Sequence, residues 1–522
     1  MNRNLTLRPT RTVLCIAVAV FGGAGVSVAL ANSDDDVKTR QQLGRVLFKT
    51  SCTAEGQKQF DRALAMLHSF NFPETVKAFN AIPEADPSCA IAYWGIAISQ
   101  RPNPLVGPWD AATLKEFYKD FDKVDQDSRT RNYERAMAAL ARKYPSDVEA
   151  KVFHALALNE TFDHKSMQPL KDAIAILEPL DKKYPDHPGI THYLIHSYDF
   201  APVALKGLPA ANKYAKVAPA APHAQHMPSH IYSMVGQWQP SIDSNLASVK
   251  IAGEYAAQAK LDGVLGGVPH AYDFMQYAYL QLGQDEKAKA LVAQSAEVEG
   301  KKTIGGVGPV VSMARAAVPA RYMLERQDWA GASQLQPKSL PFPAANAVTH
   351  FARALGAARL GDAAAAQADI DKIAALREAH LKANQPYWAE QVEVQLLAAR
   401  AWATRAQGRN DEALKLMRAA ADLEDSSEKH VAMENRLYPM RELLADMLLE
   451  GGDAAGALKE YEASMKNTPN RLRGWYGAAK AAGVVGDGAK TVEYTRRLAE
   501  LTRNGDASRL EVREARQVVA LR

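Results

Sequence analysis

Six glycines, Gly236, Gly283, Gly361, Gly408, Gly452 and Gly486, each close a run of apolar residues set at helical spacing. Five residues after them stand Ser241, Ala288, Ala366, Ala413, Ala457 and Thr491, small side chains of the kind two helices need where their backbones approach. A larger residue follows four further on at Asn245, Val292, Met417 and Tyr461. Glycine ends a helix because it adopts positive φ without a Cβ clash, and proline cannot continue one. Pro87, Pro145, Pro185, Pro219 and Pro469 supply that second stop. The period therefore predicts helix, turn, helix, stop, again and again. Alternation of the strand type is nearly absent, so the chain is all-α. At 522 residues it has the length for several compact domains or for one solenoid that grows by stacking instead of by thickening its core.

This pattern resembles the tetratricopeptide repeat. Its strongest unit runs from Gly452 to Pro469, GDAAGALKEYEASMKNTP. Gly452 and Gly486 are separated by the repeat's usual 34 residues, whereas Gly236 to Gly283 and Gly361 to Gly408 span 47 each. The expectation is an irregular tetratricopeptide-repeat α-solenoid over residues 32–522, a single body whose hairpins touch mainly their neighbours. On that expectation, removing the segment from Asn470 onward leaves the middle of the chain folded. A break in the pattern at RPNPLVGPW (101–109) reads as a loop over one face, with helices resuming from Ala111 and Val148 and a glycine-rich stretch at 300–309. The segments CAIAYWGIAIS, HPGITHYLIHSYDF and PHAQHMPSHIYSMVGQW together are similar to a group of exported bacterial proteins of this repeat type. That likeness is specific for the fold and leaves activity open.

Seven of the thirteen histidines fall between His187 and Asp273, in HPGITHYLIHSYD, PHAQHMPSHIY and PHAYDF. Residues three and four apart share one face of a helix. His192, His196 and Asp199 thus share a face, as do His223, His226 and His230, and as do His270 and Asp273. The repeat register adds to this. His192 and His196 follow Pro185 by seven and eleven residues, and His226 and His230 follow Pro219 by the same steps. His226 and Asp273 each precede a helix-closing glycine by ten, and His223 and His270 by thirteen. In the resemblance these positions lie on first helices that line the concave groove, so the section at about 185–285 aims imidazoles from three successive hairpins at one place.

Imidazole nitrogens on rigid helices make a preorganised site for copper, zinc or iron. His192, His196, His223, His226, His230 and His270 offer three nitrogens to each of two ions, a count that suits paired copper. Asp199 and Asp273 would either ligate as well or orient a ligating ring through its other nitrogen. The sequence supports a metalloprotein of one or two ions, with a metal-dependent oxidoreductase or hydrolase as its catalytic version. The other class it leaves open is a scaffold holding a peptide or protein segment in the concave groove. Trp94, Arg101 and Tyr193, Tyr198, Tyr232, Tyr272 and Tyr277 are the groove's expected remaining lining, for a small-molecule or peptide ligand. His68, His154, His164, His350, His380 and His430 read as packed or surface residues, His187 as a helix cap, and Met227-Pro228 as a helix start. GVVGDGAKT at 483–491 is a repeat turn and not a phosphate loop, and GGVG at 305–308 follows no strand. There is no G-x-S-x-G and no H-E-x-x-H.

Arg3, Arg8 and Arg11 precede an apolar run from Val13 to about Leu30 that ends in Ala29-Leu30-Ala31, the form of a cleavable signal peptide over 1–31. No later run is long enough to span a membrane. The expected address is periplasmic or secreted. Two cysteines remain after cleavage, Cys52 and Cys89, and an oxidising compartment predicts a disulfide between them. A formal net charge of +4, with no cluster of Lys and Arg among exposed aromatics, argues against a nucleic-acid partner.

Overall fold

The computed structural model describes residues 42–520 apart from 73, 102 and 107–125. The expected signal peptide, Trp109 and the first part of the helix from Ala111 lie outside the described residues. The first section holds α1 (Ala54–His68), α2 (Glu74–Ala85), α3 (Ile91–Ser99), α4 (Gln126–Lys143), α5 (Val148–Glu160) and α6 (Gln168–Lys183). The histidine section follows with α7 (Pro188–Tyr198), α8 (Leu208–Val217), α9 (Pro222–His226), α10 (Pro228–Met234), α11 (Trp238–Gln258), α12 (Gly267–Gln281) and α13 (Asp285–Glu299). The remainder is α14 (Pro309–Glu325), α15 (Trp329–Ser333), α16 (Pro343–Arg359), α17 (Ala363–Lys382), α18 (Pro386–Ala406), α19 (Asn410–Asp425), α20 (Met440–Glu450), α21 (Ala454–Asn467), α22 (Leu472–Val485), α23 (Gly488–Leu501) and α24 (Leu510–Ala520). The architecture is all-α, an irregular tetratricopeptide-repeat solenoid of antiparallel hairpins. The strands among the described residues are Val264–Leu265 and Thr303–Ile304, which pair in parallel, so that GGVG at 305–308 does follow a two-residue strand, against the expectation from sequence.

The turns work as the sequence predicts. All six helix-closing glycines have positive φ. In the Gly-Asp turns the glycine ends one helix and the aspartate starts the next. Asp362, Asp453 and Asp487 accept hydrogen bonds from the amides of Ala365, Gly456 and Lys490 at 2.8, 2.8 and 3.0 Å. Ser241, Ala288, Ala366, Ala413 and Ala457 are fully buried at the helix crossings. Cys52 and Cys89 are joined in a disulfide, Cα atoms 4.4 Å apart, which ties the start of α1 to the start of α3.

Apolar packing divides into two large cores. One runs from Leu43 to Ile231 and the other from Met313 to Tyr494. Between them the chain returns on itself through charged and polar contacts, and here the expectation of neighbour-only stacking fails. Trp238 donates its indole N–H to the carbonyl of Asn470 at 2.7 Å, and Asn470 donates to the carbonyl of Gly236 at 2.8 Å. Asp506 donates its backbone N–H to the carbonyl of Gly283 at 2.8 Å. Arg471, wholly buried, pairs with Glu442 at 2.7 Å and Glu325 at 2.8 Å and donates to the hydroxyl of Tyr277 on α12. Arg509 bridges Asp285 to the carbonyls of Leu280 and Glu325. The segment after Asn470 is therefore part of what holds α12, and removing it strips partners from the histidine section. Gly236 shows why the register tolerates only glycine at the seam. A Cβ there would lie 2.5 Å from the Cβ of Asn470 and 2.6 Å from the carbonyl of Pro469, whereas at Gly361 or Gly408 it would meet nothing.

Candidate metal centre

α7 begins at His187, whose Nδ1 accepts the Ile190 amide, and Pro188 fixes its first turn. The next hairpin's first helix is broken at Met227 into α9 and α10, with Pro228 opening the second piece. His192 and His196 lie on α7, His223 and His226 on α9, His230 on α10, and His270 on α12. The structure gathers them into two triads, His192/His196/His223 and His226/His230/His270, each with its three candidate nitrogens within 4.8 Å of one another. In both triads the i, i+4 pair meets through Nε2. The distances are 3.0 Å for His192 and His196 and 3.0 Å for His226 and His230. His223 Nε2 lies 3.1 Å from His192 Nε2. Each pair is completed by a histidine of the following hairpin, and the two triads are thus one motif repeated. They adjoin. Ring centroids of His196 and His230 are 6.0 Å apart and those of His223 and His226 5.9 Å, about the 5.7 Å between His230 and His270 inside one triad.

The outward nitrogens are held by partners that can only accept. His192 Nδ1–H donates to the carbonyl of His68 at 2.6 Å and His230 Nδ1–H to Asp199 Oδ2 at 2.7 Å. His226 Nδ1–H donates to Asn245 Oδ1 at 2.6 Å, and the Asn245 amide is oriented because its NH₂ donates to the Ser241 carbonyl at 2.8 Å. Burial disfavours the imidazolium and lowers all six histidines, His226 to about 4 and His192, His196, His223, His230 and His270 well below their usual 6.5. A neutral ring with its proton on Nδ1 has a bare lone pair on Nε2. His226 and His230 therefore point two lone pairs at each other across 3.0 Å with no proton between them. His196 Nδ1 and His270 Nδ1 are buried and have no partner among the described residues.

The two aspartates part company. Asp199 joins neither triad as a ligand; it receives His230 Nδ1–H and, at 2.7 Å, the ammonium of Lys429 from far along the chain. Burial pushes its carboxyl up to about 6 against the pull of Lys429. Asp273 is paired with the buried Arg321 and, among the described residues, belongs to neither triad. The sequence expects it to ligate or to orient a ring; the structure sets its Oδ1 against Arg321 instead.

Among the remaining histidines, His187 caps α7 and, with His68, grips Glu149, both at 2.9 Å. Burial pushes Glu149 up, but His187 and His68 outweigh it and hold the carboxyl well below its usual range. His68 also meets the Tyr193 hydroxyl at 2.9 Å, so this third cluster is fully paired and serves as the wall behind His192. His154, His350 and His380 pair with Glu134, Asp369 and Gln385. Trp94, expected in the groove, packs instead among Phe48, Phe60 and Phe153. Tyr198 and Tyr232 bond Glu178 and Asn212.

A cavity of about 1060 Å³ opens beside the first triad, with His196 in its wall. Arg101 lines it, in a two-pronged pair with Glu160. So do Tyr387 and Trp388, together with His164 and His430, the two histidines expected as packed or surface residues. His164 stands in a loop more than 200 residues before the other three, Tyr387 and Trp388 in the first turn of α18 and His430 in a loop, and no local spacing announces them together.

The chain matches no family model and no curated protein. Among solved structures it is similar to a chain of the APC/C hetero-tetramer Cut9-Hcn1, at 12% identity over 87% of this chain and 81% of that one, with a TM-score of 0.37. It is similar to yeast Tom70 at 11% identity, covering 90% and 95%, TM-score 0.35, and to human IFIT1 in its dimer with m7Gppp-AAAA at 11%, covering 90% and 94%, TM-score 0.33. At this level of likeness the centre is read from this chain's own residues.

Proposed function

We propose that each triad holds one transition-metal ion and that the two form a paired centre, with copper the metal the donor set suits best. The observation that carries this is the face-to-face approach of the unprotonated Nε2 atoms of His226 and His230, whose spacing the pair His192 and His196 repeats. Two lone pairs 3.0 Å apart repel, and a cation between them converts the repulsion into two bonds. An ion about 2.0–2.1 Å from both would subtend an angle of roughly 95°, within the range of first-row coordination. Six neutral imidazoles with no thiolate favour copper over structural zinc, and the orienting contacts through Nδ1 are those that ligating histidines use. Bound here, a redox-active pair supplies electron transfer, and a zinc pair supplies Lewis acidity. His196 faces the cavity, so chemistry at the centre would be reached from that side.

The competing scaffold reading needs the imidazoles presented to a peptide. Five of the six are buried, and the C-terminal hairpins occupy the space a peptide would use beside α12. Export fits the same picture, because the Arg-flanked apolar run at 13–30 and the Cys52–Cys89 bridge both suit an oxidising compartment. The test is elemental analysis of untagged protein made by export, after supplementation with copper, zinc or iron in turn. Two equivalents of one metal per chain are expected. Less than half an equivalent with every metal would return the reading to a scaffold.

A further inference from the structure

The cavity beside His196 has a wall with chemistry of its own. Phe200, four residues after His196, meets Phe162 with ring centroids 4.7 Å apart, and Phe162 meets His164 at 4.9 Å. His164 lies against Tyr387 at 4.0 Å and His430 at 5.1 Å, and His430 against Trp388 at 4.9 Å. All six rings line the cavity, which makes a continuous aromatic track from the first triad to the C-terminal half.

The two imidazoles in that track are fixed as opposite tautomers. His164 Nδ1 faces the carbonyl of Lys429 at 3.2 Å, so it carries the proton and its Nε2 is an acceptor. His430 Nδ1 accepts the Ala432 amide at 3.0 Å, so its proton sits on Nε2, a donor. Burial keeps both rings neutral, His164 down at about 4 and His430 well below its usual value. His164 is also held at φ 64°, a left-handed conformation uncommon outside glycine, by the Glu428 amide bonding its carbonyl at 2.7 Å. Strain of this kind persists where the surroundings enforce it, and it is common at binding sites.

We propose that the cavity binds a hydroxylated aromatic small molecule, its ring against Tyr387, His430 and Trp388 and its hydroxyl donating to His164 Nε2 while accepting from His430 Nε2–H. As the substrate chamber of the paired centre it rests on the metal reading; the binding itself does not. A hydroxyl is the smallest group that satisfies one donor and one acceptor together. A bare hydrocarbon leaves both imidazoles unpaired, and a saturated ring loses the stacking.

The probe is 2-naphthol, titrated by calorimetry and by its own fluorescence into metal-loaded and chelator-treated protein, with naphthalene and decahydro-2-naphthol as comparators. One 2-naphthol per chain is expected, with each comparator about tenfold weaker. His164→Phe and His430→Phe should keep helicity by circular dichroism, still bind naphthalene and lose the preference for the hydroxyl. Equal binding of all three compounds by the parent would overturn the proposal without reliance on any variant. Binding that vanishes on metal removal would assign the ligand to the ions, which overturns this site and leaves the metal reading standing. Binding that persists in a parent protein holding no metal would sink the metal reading and leave this site standing.

Discussion

The two triads are copies of one motif, yet their surroundings differ. His192/His196 and His226/His230 are 34 residues apart position for position, and their Nε2 contacts have the same length. The second triad is sealed, with all three rings buried and two of them oriented through Asn245 and Asp199. The first is open on one side, where His196 faces the cavity and His223 is only half-buried. Repetition sets the ligand geometry, and what packs outside each copy sets access. A sealed centre should hold its ion tightly, and an open one should exchange its ion and meet substrate.

The largest test takes the copies apart. His196→Ala with His230→Ala should reduce bound metal from about two equivalents to none, while His192→Ala and His226→Ala should each lose one. Ion binding at sites of this kind is worth on the order of 10 kcal/mol, so the loss is all-or-none in elemental analysis. His380→Ala should retain both, since that ring pairs with Gln385 away from either triad. If His192→Ala emptied both sites, the triads would be one cooperative unit and not two copies.

The seam offers the second contrast. Arg471 is wholly buried and bonds Tyr277 two turns along α12 from His270, while among the described residues no such side-chain bond joins the segment after Asn470 to α7. Arg471→Met leaves Glu442 and Glu325 as buried unpaired carboxylates, a loss of about 3–5 kcal/mol. Hydrogen exchange should rise in α12 before α7. Uniform protection across both helices would show that the seam does not bear on the sealed triad in particular.

How much of this was legible in the sequence follows from what is periodic. The helix-closing glycines, the small crossing residues, the Cys52–Cys89 pairing and the register of the six histidines all repeat or pair within the logic of local helical hairpins. The two large departures are long-range. Asp273 has the spacing of a ligand, but Arg321, 48 residues on, takes its carboxylate. His164 and His430 look like scattered histidines until the C-terminal half returns and stacks them. Nothing in the repeat period specifies that return, because it is made by single arginines and by loop residues such as Asn470 and Lys429.

Acid should separate metal-free from metal-loaded protein by a smaller margin. The folded-state value of His226 is about 4 against an unfolded 6.5. The unfolded chain therefore binds the proton first, and the stability this ring contributes is complete above pH 6.5 and lost as pH falls toward 4. The drop for this one ring should be a few kcal/mol at most across that window. Urea midpoints of chelator-treated protein should drop through that window, and loaded protein should lag because the ion competes with the proton. A flat midpoint from pH 7 to 4 would show that the rings are not buried as neutral groups.

The smallest effect tests the sealed triad's orienting contact. Asp199 receives both the Nδ1–H of His230 and the ammonium of Lys429, whose own carbonyl faces His164 in the cavity wall. Asp199→Asn keeps an oxygen near His230 but removes the charge that makes that ring a stronger donor to metal. The expected cost is 10–100-fold in affinity, about 1.4–2.7 kcal/mol, and it should fall on one of the two ions only. Lys429→Met removes the cation that holds the Asp199 carboxyl down, so burial raises it further toward the neutral acid, and the variant should weaken the same ion as Asp199→Asn and weaken the fold as well. Chelator competition reads the affinity and urea the fold. If Asp199→Asn weakened both ions alike, the orienting contact would act on the pair as a whole, and the distinction between an open and a sealed triad would collapse.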